Sequence, residues 1–106
     1  MDFDLGDEHV AIRETVRSFA EAEVAPVAEE LDREKSFPLE LVARLAELGL
    51  MGVPMPERYG GAGADTLAYA ITVEELTRVD SSLGVTVAAH SSLGTSPILL
   101  FGNVEQ

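Results

Sequence analysis

The chain contains no cysteine, which excludes disulfides, thiolate nucleophiles and cysteine-based metal sites and suits a reducing compartment. Basic residues are scarce: 7 Lys and Arg stand against 19 Asp and Glu, for a formal charge of −12. A surface of that sign repels phosphate backbones and anionic lipid, so neither nucleic acid nor a membrane is an expected partner. The same deficit argues against this chain holding the phosphates of a nucleotide or of coenzyme A unaided, since its bases are scattered along the sequence. The start, Met1-Asp-Phe-Asp-Leu-Gly-Asp-Glu8, is acidic and lacks both the basic n-region of a signal peptide and the arginines of a transit peptide. No apolar run approaches the roughly 20 residues that span a bilayer, and a cytoplasmic location is expected.

What is present reads as helix. The 106 residues, 46% of them hydrophobic, suit one all-α domain covering 1–106. A chain of that length buries roughly two thirds of its unfolded surface. A first helix is expected from about Asp7, as its cap, to Val24, with Ile12, Val16, Phe19 and Glu23 on one face. Pro26 suits the first turn of a second helix over 27–33, because its missing N–H has no partner to lose there. Ser36-Phe-Pro38 repeats that device for a third helix carrying the stripe Leu41, Val42, Leu45 and Leu48, closed by Gly49. Asp65 caps a fourth helix running to about Val79, apolar on two sides and therefore central in its bundle. Asp80-Ser-Ser82 marks a break before a fifth helix over 83–92, and Gly94-Thr-Ser-Pro97 a second break before a short helix over 98–101. Val104-Glu-Gln106 reads as the start of a further turn. The architecture expected is an up-and-down bundle of about five to six helices.

The residue types that carry chemistry are thinly spread. Gly60-Gly-Ala-Gly63 has the look of a phosphate loop, yet no strand precedes it and no lysine follows it, so a structural turn is the favoured reading. His9 lies in an acidic first turn and is expected to be solvated. His90 stands beside Ser91 and Ser92, but neighbours on a helix point in different directions and cannot form a triad among themselves. It either contacts a partner or lines a ligand cavity. Glu74 and Glu75, with Arg78 in reach of both, read as a local ion pair plus one solvated or inter-helix carboxylate. No catalytic group and no metal-ligand spacing is legible. Gly84, Ala88, Ala89, Ser91, Ser92 and Gly94 leave the fifth helix with little bulk, which fits either tight helix packing or a wall for a thin apolar ligand.

Taken in order, Val16-Arg-Ser-Phe-Ala20, Val24-Ala-Pro26, Leu31-Asp-Arg33, Leu45-Ala-Glu-Leu-Gly-Leu50, Pro56-Glu-Arg-Tyr-Gly-Gly-Ala-Gly63, Glu74-Glu-Leu76, Arg78-Val-Asp80 and His90-Ser-Ser-Leu-Gly94 resemble the amino-terminal helical domain of the acyl-CoA dehydrogenase family. The resemblance covers essentially the whole chain. It implies the first of three domains of a homo-oligomeric flavoenzyme, a dimer or tetramer, that binds FAD. Such an enzyme removes the α and β hydrogens of an acyl-CoA thioester and passes electrons to electron-transfer flavoprotein. It also implies that the base glutamate and nearly all FAD contacts belong to later domains, while this portion forms one wall of the acyl-chain pocket. Carried over by position, Thr86, Val87, His90, Ser91 and Leu93 are the expected substrate-binding residues, with His90 placed to set the depth of the pocket. Related flavoenzymes that use oxygen or act on nitroalkanes share this pattern. A stand-alone helical binding module without catalysis is the alternative reading.

Overall fold

Residues 5–34 and 37–106 are described by a computed structural model of the chain. The residue Ser36, expected to help open the third helix, and the first four residues lie outside the described residues. The helices are α1 (Asp7–Phe19), α2 (Ala25–Glu34), α3 (Leu39–Glu47), α4 (Thr66–Val79), α5 (Ser81–Ala89) and α6 (Ser96–Phe101), with a short 3₁₀ turn at Glu57–Tyr59. Among the described residues there is no strand. The all-α bundle expected from the sequence is the observed architecture, but among the described residues the six α-helices form four rods.

Two breaks expected at proline are not breaks. A π turn, Ala20–Val24, joins α1 to α2, and a second, His90–Thr95, joins α5 to α6. In each the hydrogen bond steps back five residues: the Ala25 N–H donates to the Ala20 carbonyl, and the Ser96 N–H to the Ser91 carbonyl. The next residue is Pro26 in one rod and Pro97 in the other. Proline inside a regular α-helix loses a hydrogen bond and drives its ring into the carbonyl four residues back. A turn widened by one residue relieves that clash, so the helix passes through instead of stopping. The continuous helix Ser81–Phe101 is 21 residues long and, by length and composition alone, apolar enough to cross a membrane. That corrects the expectation that no such run exists. The helix is nonetheless part of the bundle, with Leu83, Gly84, Val87 and Ser91 buried on one side.

The remaining ends follow local chemistry. Asp65 accepts from the Ala68 N–H at 2.8 Å and caps α4; the Asp80 side chain accepts from Ser82 and Leu83 and caps α5. Both caps were expected from sequence. Asp7 is not a cap: Gly6 holds that position and Asp7 lies in the first turn, where its charge meets the positive end of the helix. After α3 the chain reverses at Gly49, whose φ of 78° suits glycine. There the Leu50 N–H bonds to the Leu45 carbonyl and the Gly49 N–H to the Ala46 carbonyl, the paired bonds of a Schellman end.

Ion pairs fix the order of packing. His9 meets Asp65, Arg17 meets Glu75 and Glu21 meets Arg78, so α1 and its π turn run alongside α4 in the same direction. The Tyr69 hydroxyl donates to the Ala88 carbonyl at 2.9 Å, and Gly84 lies against Thr77, so α4 and α5 run in opposite directions. The core between these rods contains Val16, Phe19, Ala20, Val24, Leu45, Leu76, Leu83 and Val87. With α1 on one side and α5 on the other, α4 is central, as its two-sided apolar pattern predicts.

Candidate functional site

The five expected substrate-binding residues divide between two faces of the α5–α6 rod. Val87 is 0% exposed and belongs to the core, and Ser91 is 2% exposed. Thr86 is half-buried, its hydroxyl donating to the Ser82 carbonyl, while His90 is exposed and Leu93 is 78% exposed. Spacing of four places Thr86 and His90 near one side of α5, and Leu93, inside the π turn, is exposed as well. That outward stripe passes into the π turn, and the sequence pattern could not reveal that Val87 points the other way. The Ser91 hydroxyl is buried with no hydrogen-bond partner, which sets it apart from the other buried side-chain polar atoms among the described residues. Leaving such a group unpaired costs about 1–3 kcal/mol.

A cavity of about 710 Å³ opens between residues 49–61 and α6. Its walls include Met51, Met55, Tyr59, Ile98 and Leu99, and His90 is the member of the five that reaches it. The His90 ring stands 3.5 Å from the Thr95 hydroxyl across the π turn. Arg58 stacks over the Tyr59 ring at 4.8 Å from its centroid on the loop that forms one wall. A second, shallower groove of about 700 Å³ runs along α4 beside α5, lined by Thr66, Tyr69, Ala70, Val73, Thr77 and Ala88 among others.

The glycine loop is a structural turn. Its five consecutive N–H groups all point inward: Gly60 to the Glu57 carbonyl, Gly61 to Pro56, Ala62 to Gly52, Gly63 to Met55 and Ala64 to Val53. A phosphate cradle needs those donors free and turned outward. The loop spends them on holding residues 52–64 in shape, so it offers no phosphate site.

Among the described residues no acid–base pair emerges either. Glu75 is 4% exposed and accepts a two-pronged hydrogen bond from Arg17, at 2.9 and 3.1 Å, plus one from Arg78 at 3.3 Å. The Arg17 hydrogen bond holds its carboxyl below the ordinary value, against the opposing pull of burial, so Glu75 stays ionised and fully engaged. Glu74 is exposed. His9, expected to be solvated, is instead partly buried and bonds both Asp65 oxygens at 2.8 and 3.0 Å. The Asp65 carboxyl is lowered by the Ala68 N–H and then by His9. Among the described residues no cluster of His, Asp or Glu has the form of a metal site. Of the Arg17–Glu75–Arg78–Glu21 network, sequence showed only that Arg78 lies in reach of Glu74 or Glu75, because Arg17 and Glu21 lie more than fifty residues from their partners.

Comparison with known proteins gives one family. The acyl-CoA dehydrogenase N-terminal domain profile matches residues 6–106. A short-chain specific acyl-CoA dehydrogenase of Clostridium acetobutylicum is 47% identical over 106 residues, covering 100% of this chain and 28% of that protein. A chain in a structure of the electron transferring flavoprotein of Acidaminococcus fermentans superposes with a TM-score of 0.95 at 40% identity, over 99% of this chain and 28% of that one. The acyl-CoA dehydrogenase of Bacillus anthracis complexed with FAD superposes with a TM-score of 0.88 at 38% identity, over 96% of this chain and 17% of that one. The chain thus spans about a quarter of the length of the curated relatives it matches.

Proposed function

The chain belongs to the acyl-CoA dehydrogenase family, as its N-terminal domain, and from that premise we propose that it is the helical part of an FAD-dependent enzyme that dehydrogenates acyl-CoA thioesters between the α and β carbons. In that enzyme it supplies one wall of the acyl-chain pocket and no catalytic group. The observation that carries this reading is the outward-facing Thr86, His90 and Leu93 on a stretch whose other residues include the small Gly84, Ala88, Ala89, Ser91, Ser92 and Gly94. A rod of that kind lets a thin apolar chain lie close to its backbone. Val87 and Ser91 stand behind the stripe and act on the wall through packing.

The described residues do not fit a role in holding FAD. The one glycine-rich loop has no free N–H, and the surface is strongly acidic. When bound elsewhere in the complete enzyme, FAD would accept the hydride from the β carbon. The cofactor reading is supported by the FAD complex of the Bacillus anthracis relative, and electron-transfer flavoprotein as partner by the Acidaminococcus fermentans structure. A cytoplasmic homo-oligomer of two or four copies completes the proposal.

The test is a chain-length profile of the complete enzyme, read as flavin bleaching by acyl-CoA thioesters of increasing length. Leu93→Ala and His90→Ala are expected to shift the preferred length upward by opening the wall. A profile unchanged in both variants would refute the assignment of this stripe. Absence of bleaching by any acyl-CoA in the unmodified enzyme would refute the activity.

A further inference from the structure

A hydroxyl side chain within a helix ordinarily returns its proton to a main-chain carbonyl one turn back. On the α5–α6 rod Thr86 donates to the Ser82 carbonyl at 2.8 Å and Ser92 to the Ala88 carbonyl at 2.7 Å. Ser96 does the same across the π turn, to the Ser91 carbonyl at 2.7 Å. Ser91 breaks the pattern. Its residue is 2% exposed, and its hydroxyl is sealed from the surface with no protein group to bond. The carbonyl it would reach, that of Val87, already takes the His90 N–H. Alanine would fill the same space without an unpaired group, so the hydroxyl needs a partner that the surrounding side chains do not supply.

The seam between α4 and α5 holds acceptors for such a partner. A helical side chain leans back over the turn before its own Cα, which sets Ser91 over residues 87 and 88. Into that turn comes Tyr69 from α4, whose hydroxyl donates to the Ala88 carbonyl at 2.9 Å. Tyr69 has thereby used its one proton, and its oxygen can still accept. We propose that Ser91 anchors one buried water in this seam, shared with the Tyr69 oxygen. Water suits the place because it accepts the Ser91 proton and donates to the Tyr69 oxygen at once. Its second proton has the remaining lone pair of the Val87 carbonyl within the same turn. Three partners are the usual complement of a buried water, whereas an apolar occupant would leave the Ser91 hydroxyl unpaired. The water joins α4 to the second residue of the π turn, so it steadies the widened turn against its neighbour helix. His90, adjacent in the chain, is held toward the cavity by the same turn.

The test is a crystal structure of the full-length protein at a resolution that shows ordered solvent. A water is expected at about 2.5–3.0 Å from both the Ser91 Oγ and the Tyr69 Oη. Ser91→Ala should remove that water and lower the melting temperature. Ser91→Ala should cost less on a Tyr69→Phe background, because the bridge has then already lost one end. An unpaired hydroxyl has the opposite signature, since its removal relieves a penalty and raises the melting temperature. A rise in the Ser91→Ala variant would therefore overturn the proposal. So would a Ser91 Oγ bonded directly to a protein carbonyl, density with no solvent in reach of it, or equal costs of Ser91→Ala on the two backgrounds.

Discussion

Replacing Gly84 by alanine sets two calculable effects against each other. Gly84 lies on α5 where it crosses α4, and a Cβ built there would overlap the Thr77 hydroxyl and sit 3.0 Å from Thr77 Cβ and 3.1 Å from its Cα. Turning the Thr77 side chain moves the hydroxyl away but leaves the other two contacts, one of them backbone. Relief then requires the helices to part, and overpacking of that kind costs about 1–3 kcal/mol. Alanine's better helix propensity returns about 1 kcal/mol. The net expectation is a loss of up to about 2 kcal/mol, or a melting temperature lowered by several degrees at about 4–8 °C per kcal/mol for a domain of this size. Gly94→Ala is the control. Its Cβ would meet nothing nearer than the Ala89 carbonyl oxygen at 3.9 Å, so only the propensity gain remains and the melting temperature should rise. Adding Thr77→Ala to Gly84→Ala should recover part of the loss, because it removes the hydroxyl that the new Cβ overlaps. Thermal and urea unfolding followed by circular dichroism measures all four proteins. If Gly84→Ala stabilises as much as Gly94→Ala, the close crossing of α4 and α5 is not what holds glycine at this position.

Glu75→Gln should cost about 2 kcal/mol at neutral pH, the scale of a hydrogen bond to a charged group, and should also flatten the acid limb of stability. The sign follows from the depressed Glu75 carboxyl: its contribution is full above the ordinary value of 4.5 and is lost as pH falls through the lower folded value. Asp65, also lowered, leaves a residual slope in the variant, and urea midpoints measured from pH 7 down to acid would expose an unchanged limb. The isolated chain should leave the absorption spectrum of added FAD unshifted, since its glycine loop has no donors free; a shifted spectrum would contradict that. Leu93, Leu100, Phe101 and Val104 are all at least 71% exposed, and apolar area of that extent seldom stays uncovered. The isolated chain should therefore self-associate as its concentration rises, and light scattering showing a monomer throughout would count against it. Val87→Phe should destabilise the fold before it alters any chain-length preference, because Val87 has no free surface.

Local chemistry made much of this fold legible. Asp65, Asp80 and Gly49 act within a few residues of themselves, so each cap could be read from sequence and recurs in the structure. Pro26 and Pro97 misled for a physical reason. Proline states only that a regular helical hydrogen bond is absent, which a helix start and a π turn satisfy equally well. Choosing between them depends on whether the surrounding core rewards a continuous rod. The stripe at Thr86, His90 and Leu93 was within reach of the pattern, but the inward direction of Val87 and Ser91 is set by contact with α4. The cavity was beyond reach because its walls come from a loop and a helix forty residues apart.

The two π turns also act as phase shifters. One added residue rotates everything downstream by about 100° about the helix axis. Deleting a single residue from His90–Thr95 would thus leave the rod helical while turning the faces of α6 by more than a quarter revolution, carrying Ile98 and Leu99 out of the cavity wall. An insertion that looks negligible in an aligned sequence is here an angular setting. The face that α6 offers to the rest of the protein is chosen one turn upstream, beside His90, so the orientation of one surface and the lining of another are written into the same six residues.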